Sequence, residues 1–429
     1  MQLRYNFRVE PTPGQRTALA RAFGCARVVF NDGLRAREQA YRAGLPYLTD
    51  AELMRQVLTE AKQTEERAWL AEVSSVVLQQ AVADLNTAYR NFFASITGKR
   101  KGHPVGRPHW RSRKDNRHAI RFTRNARFAV TNTSRLRLPK IGDLRVRWSR
   151  ALPAEPSSVT VIKDAAGRYF ASFVVDTEPG ILPEIEADTG IDLGLSCFAA
   201  FPDGRTVTAP KFLRRAERTL TKLQRALSRK EKGSRNRAKA RVRVARAHAR
   251  VANSRRDWYH KLSTTIIREN QAVYVEDLAV SGLARGRLAK SVHDAGWSAF
   301  VSMLEYKAAK HGRVFARIGR FEPTTRTCSG CGWYGPKLGL SVRIFRCAGC
   351  PLVLDRDVNA ARNILAAGRK LAAATRREAE SSNACGAPVR PGGRKSPAGR
   401  VRPAPRGKEA GTHRKAIAHS GGQAGIPVL

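Results

Sequence analysis

Residues 2–9 (QLRYNFRV) alternate apolar and polar side chains, the two-residue period of a half-buried strand. Pro11 and Pro13 end it. From about Gln15 the spacing lengthens to that of a helix, with Leu19, Phe23, Ala26 and Phe30 on one face. The helical period returns through residues 50–96, carried first by Leu53, Val57 and Ala61 and then by Val77, Leu78, Ala81 and Leu85. A helical bundle is therefore predicted after the opening strand. Residues 98–124 break the pattern: they are basic, punctuated by Gly and Pro, and interleaved with His103, Trp110 and Phe122. Short strands are predicted around 128–130, 144–148, 158–162 and 169–175. With the opening strand they make a small β-barrel, and the helical segment becomes an insertion in it.

A Pro/Glu-rich linker at 178–188 precedes a second unit. Its first strand contains Gly190-Ile191-Asp192-Leu193-Gly194, and a hairpin follows with its turn at Asp203-Gly204. Residues 211–256 predict two helices broken at Gly233-Ser234. A strand at 272–276, a helix over 295–311, a strand at 314–318 and a helix over 357–367 complete the pattern. The last 59 residues mix 15 Gly/Pro with 11 Lys/Arg and three acids, so 371–429 is predicted to be a disordered basic tail.

Charge narrows the function. The 429 residues carry 79 Lys and Arg against 35 Asp and Glu, a net charge of +44. Self-repulsion on that scale is a cost, and a polyanionic partner explains it; nucleic acid leads. Residues 211–256 alone hold 18 basic residues against two Glu, where an ordinary solvated helix mixes signs. Lys222, Arg225, Arg229, Arg237 and Arg241 are the candidate phosphate contacts there, and Trp110 is a candidate stacking residue that could equally be core. No apolar run approaches the roughly 20 residues of a membrane span, and no secretory signal is visible, so no membrane partner is expected.

Four of the seven cysteines form Cys328-x-x-Cys331 and Cys347-x-x-Cys350; Cys25, Cys197 and Cys385 stand alone. Two CxxC pairs separated by 15 residues are the pattern of a structural four-cysteine zinc site in a reducing compartment. Four sulfur ligands leave no open position for catalysis. Three acids stand out as well. Asp192 lies in an apolar strand, Glu276 ends another, and Asp355-Arg356-Asp357 opens a helix. Each alone has an ordinary reading: a buried ion pair, a strand-end charge, a helix N-cap. Together, in a protein this basic, they point to oxygen ligands for Mg²⁺ or Mn²⁺.

The order Gly190-Ile191-Asp192-Leu193-Gly194, Val275-Glu276-Asp277-Leu278, the four cysteines, and Asp355-Arg356-Asp357-x-Asn359-Ala360-Ala361-x-Asn363-Ile364 closely resembles the TnpB (OrfB) family. These are transposon-encoded RNA-guided nucleases related to the type V CRISPR effectors. Phe7-Arg8-Val9-Glu10-Pro11-Thr12, Phe23-Gly24-Cys25-Ala26-Arg27 and Asp294-Ala295-Gly296-Trp297 are also similar to family segments, and the resemblance spans roughly residues 1–368. Pro351 departs from it, standing where the family commonly has Gly after the last cysteine.

The resemblance implies an α+β multidomain chain. An oligonucleotide-binding-like wedge barrel (1–10 and 98–180) would hold an inserted helical recognition lobe (11–97). A RuvC/RNase H-like α/β nuclease domain (186–320 and 353–370) would be interrupted by a zinc ribbon (321–352). It implies Asp192, Glu276 and Asp357 as a triad holding two Mg²⁺ ions for hydrolysis of DNA phosphodiesters, preferring Glu276 to Asp277 and Asp357 to Asp355. It also implies a cytoplasmic prokaryotic monomer carrying one guide RNA and addressing a target DNA, nucleoid-associated when bound to it. The competing readings are a nuclease-inactive, repressor-like RNA-guided binder, a strand-transfer transposase, and a structural zinc-ribbon protein.

Overall fold

The computed structural model describes residues 1–339 and 341–384. The chain opens with β1 (Gln2–Glu10) and α1 (Pro13–Arg42). Thr12 and Gln15 form a capping box at the start of α1, and Pro13 fits its first turn, where no N–H is needed. α2 (Asp50–Met54) and α3 (Ser75–Ile96) follow. The strands β2 (His118–Thr123), β3 (Ala129–Val130), β4 (Arg135–Leu138), β5 (Gly142–Arg147), β6 (Pro156–Lys163) and β7 (Tyr169–Asp176) complete the first unit.

With β1 they make one antiparallel sheet in the order β2-β6-β7-β1-β5-β4-β3. The opening strand is central, paired with β7 and β5. The sheet is curled. Its edge strands β2 and β3 would lie about 29 Å apart if it were flat, yet the chain from Thr123 to Ala129 spans at most about 20 Å. β2 and β3 are not paired, so the expected barrel is a curled sheet without a hydrogen-bonded seam. α1 and α3 share one core with it: Leu19, Phe30, Leu78 and Leu85 join Phe7, Phe122 and Phe173. β2 itself lies inside the basic stretch that read as irregular, because Ile120 and Phe122 alternate with Arg121 and bury their side chains.

The second unit holds β8 (Asp188–Ile191), β9 (Cys197–Ala200), β10 (Thr206–Thr208), α4 (Phe212–Ser228), α5 (Arg235–Glu269), β11 (Ala272–Glu276), α6 (Val280–Leu283), α7 (Ala289–Ala295), α8 (Trp297–His311) and β12 (Val314–Ile318). A short hairpin, β13 (Ile344–Arg346) with β14 (Val353–Asp355), leads into α9 (Arg356–Ala384). β8, β11 and β12 pair in parallel. The β9–β10 hairpin joins β8 through one antiparallel bridge, Asp192 with Ala200. Asp192 therefore sits just past the end of β8, rather than inside the strand predicted over 190–194.

The parallel strands are covered on both faces. Val273 and Val275 pack with Ile266, Phe300 and Leu304, while Ala272 and Tyr274 pack with Ile364 of α9. Two corrections concern the C-terminal part. The ribbon hairpin reaches Asp355, since β14 pairs with β13, so 353–355 leaves the segment assigned to the nuclease domain. The tail expected from residue 371 is helical as far as Ala384, where α9 continues through an Ala- and Arg-rich run of good helix formers. Residues 385–429, also expected to be disordered, lie outside the described residues. No described helix is long and apolar enough to cross a membrane.

α9 lies against β8 because Gly190 has no side chain. A Cβ there would stand 2.9 Å from the Leu365 Cα and closer still to the Ala361 carbonyl oxygen and the Leu365 nitrogen. At Gly368 it would overlap the Tyr274 ring. Gly190→Ala is expected to displace α9, costing about 1–3 kcal/mol and lowering the thermal unfolding midpoint. An unchanged midpoint would show that the contact is not limiting.

Candidate functional site

The pairing register brings two acids to one edge of the sheet. Val275 of β11 pairs with Ile191 of β8, so Glu276 lies alongside Asp192 at the carboxyl ends of parallel strands. Side chains alternate along a strand, so Asp192 shares a face with Gly190, and Glu276 with Tyr274. Both of those residues touch α9. The two acids therefore face the same side as the helix whose first turn carries Asp357. Asp192 and Asp357 line one pocket with Lys211, Thr325, Arg343 and Arg356.

The pocket is electrostatically strained. Burial first, then the Glu276 and Asp357 carboxylates, push the Asp192 carboxyl up to about 8. Burial also raises Glu276, and the Thr324 hydroxyl opposes this by donating to its Oε1. Asp357 is paired with Arg356 at 3.4 Å and Arg343 at 3.8 Å.

The neighbouring acids are engaged elsewhere. Asp355 caps α9, accepting from the Asp357 N–H at 2.8 Å and the Val358 N–H at 3.2 Å. Asp277 pairs with Arg320 at 2.6 Å. Among the described residues the four thiols alone gather with all ligand atoms within 4.8 Å of one another; the three carboxylates do not meet that spacing. A hard, doubly charged cation suits a donor set of carboxylate oxygens whose mutual repulsion the arginines only partly offset.

The cysteine cluster fits zinc directly. Cys328 Sγ lies 3.7 Å from Cys350 Sγ, and Cys331 Sγ lies 3.6 Å from Cys347 Sγ. Ligands about 2.3 Å from a tetrahedral zinc stand about 3.8 Å apart. Backbone N–H groups of Gly330 and Gly349 donate to Cys328 and Cys347 sulfur at 3.4 and 3.3 Å, which favours thiolates. Pro351 does not disturb the second knuckle: the Cys347 N–H still donates to the Leu352 carbonyl across it, at 3.1 Å.

Three residues absent from the sequence-derived site tie this cluster to the acids. Asn359, fully buried, accepts from the Ser329 N–H at 2.9 Å and donates to the Thr327 carbonyl at 2.8 Å. Asn363, one turn on, donates to the Thr324 and Thr327 carbonyls at 2.7 Å. Thr324 in turn holds Glu276. The signal was present: two asparagines at i, i+4 among Val358, Ala360, Ala361 and Ile364 must find partners when that face is buried.

The basic helices form a hairpin. Asp294, buried beneath it, accepts from the Leu213 and Arg214 N–H groups at 2.8 and 3.2 Å and pairs with Arg255 at 3.1 Å. It thus caps α4 and ties it to α5 and α7. Lys222, Arg225, Arg229 and Arg241 are exposed. Arg237 differs, because it turns inward and donates to the Leu227 and Lys230 carbonyls at 3.2 and 2.7 Å, closing the C-terminal end of α4. Trp110 is exposed rather than core, with the Arg35 guanidinium 5.6 Å from its ring centre.

Three family models match the chain: a probable transposase of the OrfB/IS605 type over residues 172–287, a Cas12f1-like TNB domain over 297–364, and a helix-turn-helix domain over 1–45. The last span is here β1 followed by a single unbroken helix, α1. A Streptomyces pristinaespiralis protein named "Putative RNA-guided DNA endonuclease" is 44% identical over 90% of this chain and 92% of its own. The Escherichia coli protein "Putative RNA-guided DNA endonuclease InsQ" is 32% identical over 86% and 93%. A chain of the Cas12f1–sgRNA–target DNA complex aligns over 81% of both chains with a TM-score of 0.49 and 13% identity.

Cys347→Ser is expected to lose the bound zinc, measured as metal per chain. Asn359→Ala should leave the four cysteines in place yet deprive the Ser329 N–H of its buried partner and leave the Thr327 carbonyl to Asn363 alone, at about 1–3 kcal/mol. Limited proteolysis between residues 321 and 355 should then accelerate. Proteolysis at the wild-type rate would mean that Asn359 does not hold the ribbon.

Proposed function

The chain belongs to the TnpB (OrfB) family, and from that membership we propose that it is an RNA-guided DNA endonuclease. Asp192, Glu276 and Asp357 would hold its divalent cations. The observation that carries this reading is the shared facing of those three acids at one edge of a parallel sheet, against the N-terminus of α9. The spatial order β10-β9-β8-β11-β12, in which the Asp192–Ala200 bridge joins the hairpin to the parallel strands, supports a RuvC/RNase H-like domain. The curled sheet and its helical insertion would be the wedge and recognition parts, and the four cysteines would hold structural zinc.

Asp192, Glu276 and Asp357 would hold two Mg²⁺ ions at this pocket, which would supply the Lewis-acid charge that phosphodiester hydrolysis needs. The protein's own contributions are positional. Thr324 orients the Glu276 carboxylate, and Arg343 and Arg356 hold that of Asp357. Asp355 caps α9, which fixes the turn bearing Asp357. The exposed arginines and lysines of the α4–α5 hairpin would bind the nucleic-acid backbone, with base pairing rather than side chains reading sequence. A nuclease-inactive descendant would dispense with one of the acids, and all three are present. The chain is expected to act as a monomer with one RNA.

Asp192→Ala is expected to abolish Mg²⁺-dependent cleavage and leave RNA binding intact; undiminished cutting would reject the triad. Sequencing the RNA that co-purifies from the native host tests guidance, because a defined transcript is expected. The raised Asp192 pKa makes a further prediction. Without divalent cations the folded protein keeps a proton that the unfolded chain loses above pH about 4. Stability should therefore fall as pH rises from about 4 towards 8, and added Mg²⁺ should restore it. A melting temperature that is flat in pH over that range, with and without Mg²⁺, would contradict the reading.

A further inference from the structure

We propose that the outer end of the helical insertion is a stacking platform for unpaired nucleotides, built from Tyr41, Tyr47 and Phe93 and rimmed by Arg90, Lys99 and Arg107. It rests on the nucleic-acid reading above and adds a surface remote in sequence from the acids and the α4–α5 hairpin.

The rings form one connected array. Tyr47 meets Tyr89 and Phe93 edge-on at 6.1 and 5.8 Å, and Tyr89 stacks near Phe93 at 5.9 Å. Phe92 adjoins Phe93 at 5.4 Å, and the Arg107 guanidinium lies 5.3 Å from the Tyr41 ring and 5.9 Å from that of Phe92. Core rings would be covered, and these are not: Tyr41 is 71% exposed, Tyr47 50% and Phe93 44%, with Ile96 beside them at 66%. An apolar patch of this kind on a folded surface marks a contact site.

The platform is held rigid from beneath. Arg37, buried, lies 4.5 Å from the Tyr47 ring and 5.0 Å from the Tyr89 ring. It also donates to Asp50 at 3.1 Å and to the Leu48 carbonyl at 3.3 Å. The loop bearing Tyr47 is thereby fixed. The loop after α3 folds back onto the end of that helix, with the Arg100 N–H donating to the Ala94 carbonyl at 3.0 Å and the Val105 N–H to Ser95 at 2.8 Å. That keeps the Lys99-Arg100-Lys101 run close to the last turn of α3, next to Phe93.

Charge selects the occupant. A second copy of the chain docked on this face by two-fold symmetry would bring the same basic rim against itself. A polyanion would neutralise it. Exposed ring faces beside a basic rim are the combination that binds single strands, since a stacked base must first be unpaired, and a duplex offers only its edges and backbone.

The test is fluorescence anisotropy with the full chain, freed of RNA by high salt, against a labelled 12-nucleotide single strand and the matching duplex. The double variant Tyr41→Ala/Phe93→Ala should weaken single-strand binding about 5- to 150-fold for each base that loses its ring. Duplex affinity should hold, and so should the salt dependence, because the rings are uncharged. Phe93→Trp, with Tyr41 intact, should bind as the wild type does. Circular dichroism matching the wild type verifies folding. Single-strand affinity unchanged in a folded double variant overturns the proposal, as does a dimer that the double variant converts to monomer in light scattering. Asp192→Ala separates the two readings: it should bind the single strand normally while failing to cut. Loss of the platform effect with Asp192-dependent cleavage intact would remove the platform alone.

Discussion

The position of Asp357 relative to Asp192 depends on one close contact between their elements. Here that is the direct approach of α9 to β8 at Gly190, where backbone meets backbone with no room for a methyl group. The strand register sets Asp192 beside Glu276, and the helix brings Asp357 to the same pocket. Burial, and then the Glu276 and Asp357 carboxylates, raise the Asp192 pKa, and Arg356 partly offsets them. Such a pocket is a poor place for three isolated anions and a good one for divalent cations.

The cysteine cluster belongs to the same construction. Its first knuckle is bound by Asn359 and Asn363 from the face of α9 just beyond Asp357, and Thr324, at the entrance to the ribbon, reaches Glu276. A zinc site of this kind has no chemistry of its own to perform. Its effect is to give a short, poorly cored segment a fixed shape, from which two of the three acids take their orientation. Folding of the ribbon and geometry of the pocket are therefore coupled through buried amide hydrogen bonds.

The positive charge is likewise divided between structure and binding. Arg237 closes the C-terminus of α4, Arg255 pairs with the capping Asp294, and Arg37 holds the aromatic surface of the helical insertion. Lys222, Arg225, Arg229 and Arg241 are exposed. A count of basic residues thus measures attraction to a polyanion only after the structural ones have been set aside.

The sequence by itself pointed to the four-cysteine cluster, whose two CxxC pairs the fold gathers with all sulfurs within 4.8 Å of one another. It also pointed to apolar strands near Asp192 and Glu276 and to the insertion of helices after the first strand, while the parallel pairing and the end of β8 before Asp192 came from the fold. Local signals sufficed because each depends on neighbours a few residues away. Tertiary structure decided the rest. β2 was hidden because its short Ile120-x-Phe122 alternation, with Arg121 facing outward, lies in a run crowded with basic residues. Asp355 caps α9, a matter of backbone geometry at a junction that the Asp355-Arg356-Asp357 run does not report. Arg237 and Arg241 are indistinguishable as letters, and only the fold turns one toward carbonyl groups and leaves the other in water. The meeting of residues 192, 276 and 357 required strand register and a helix seated on a glycine, contacts between segments too far apart for any local pattern to report.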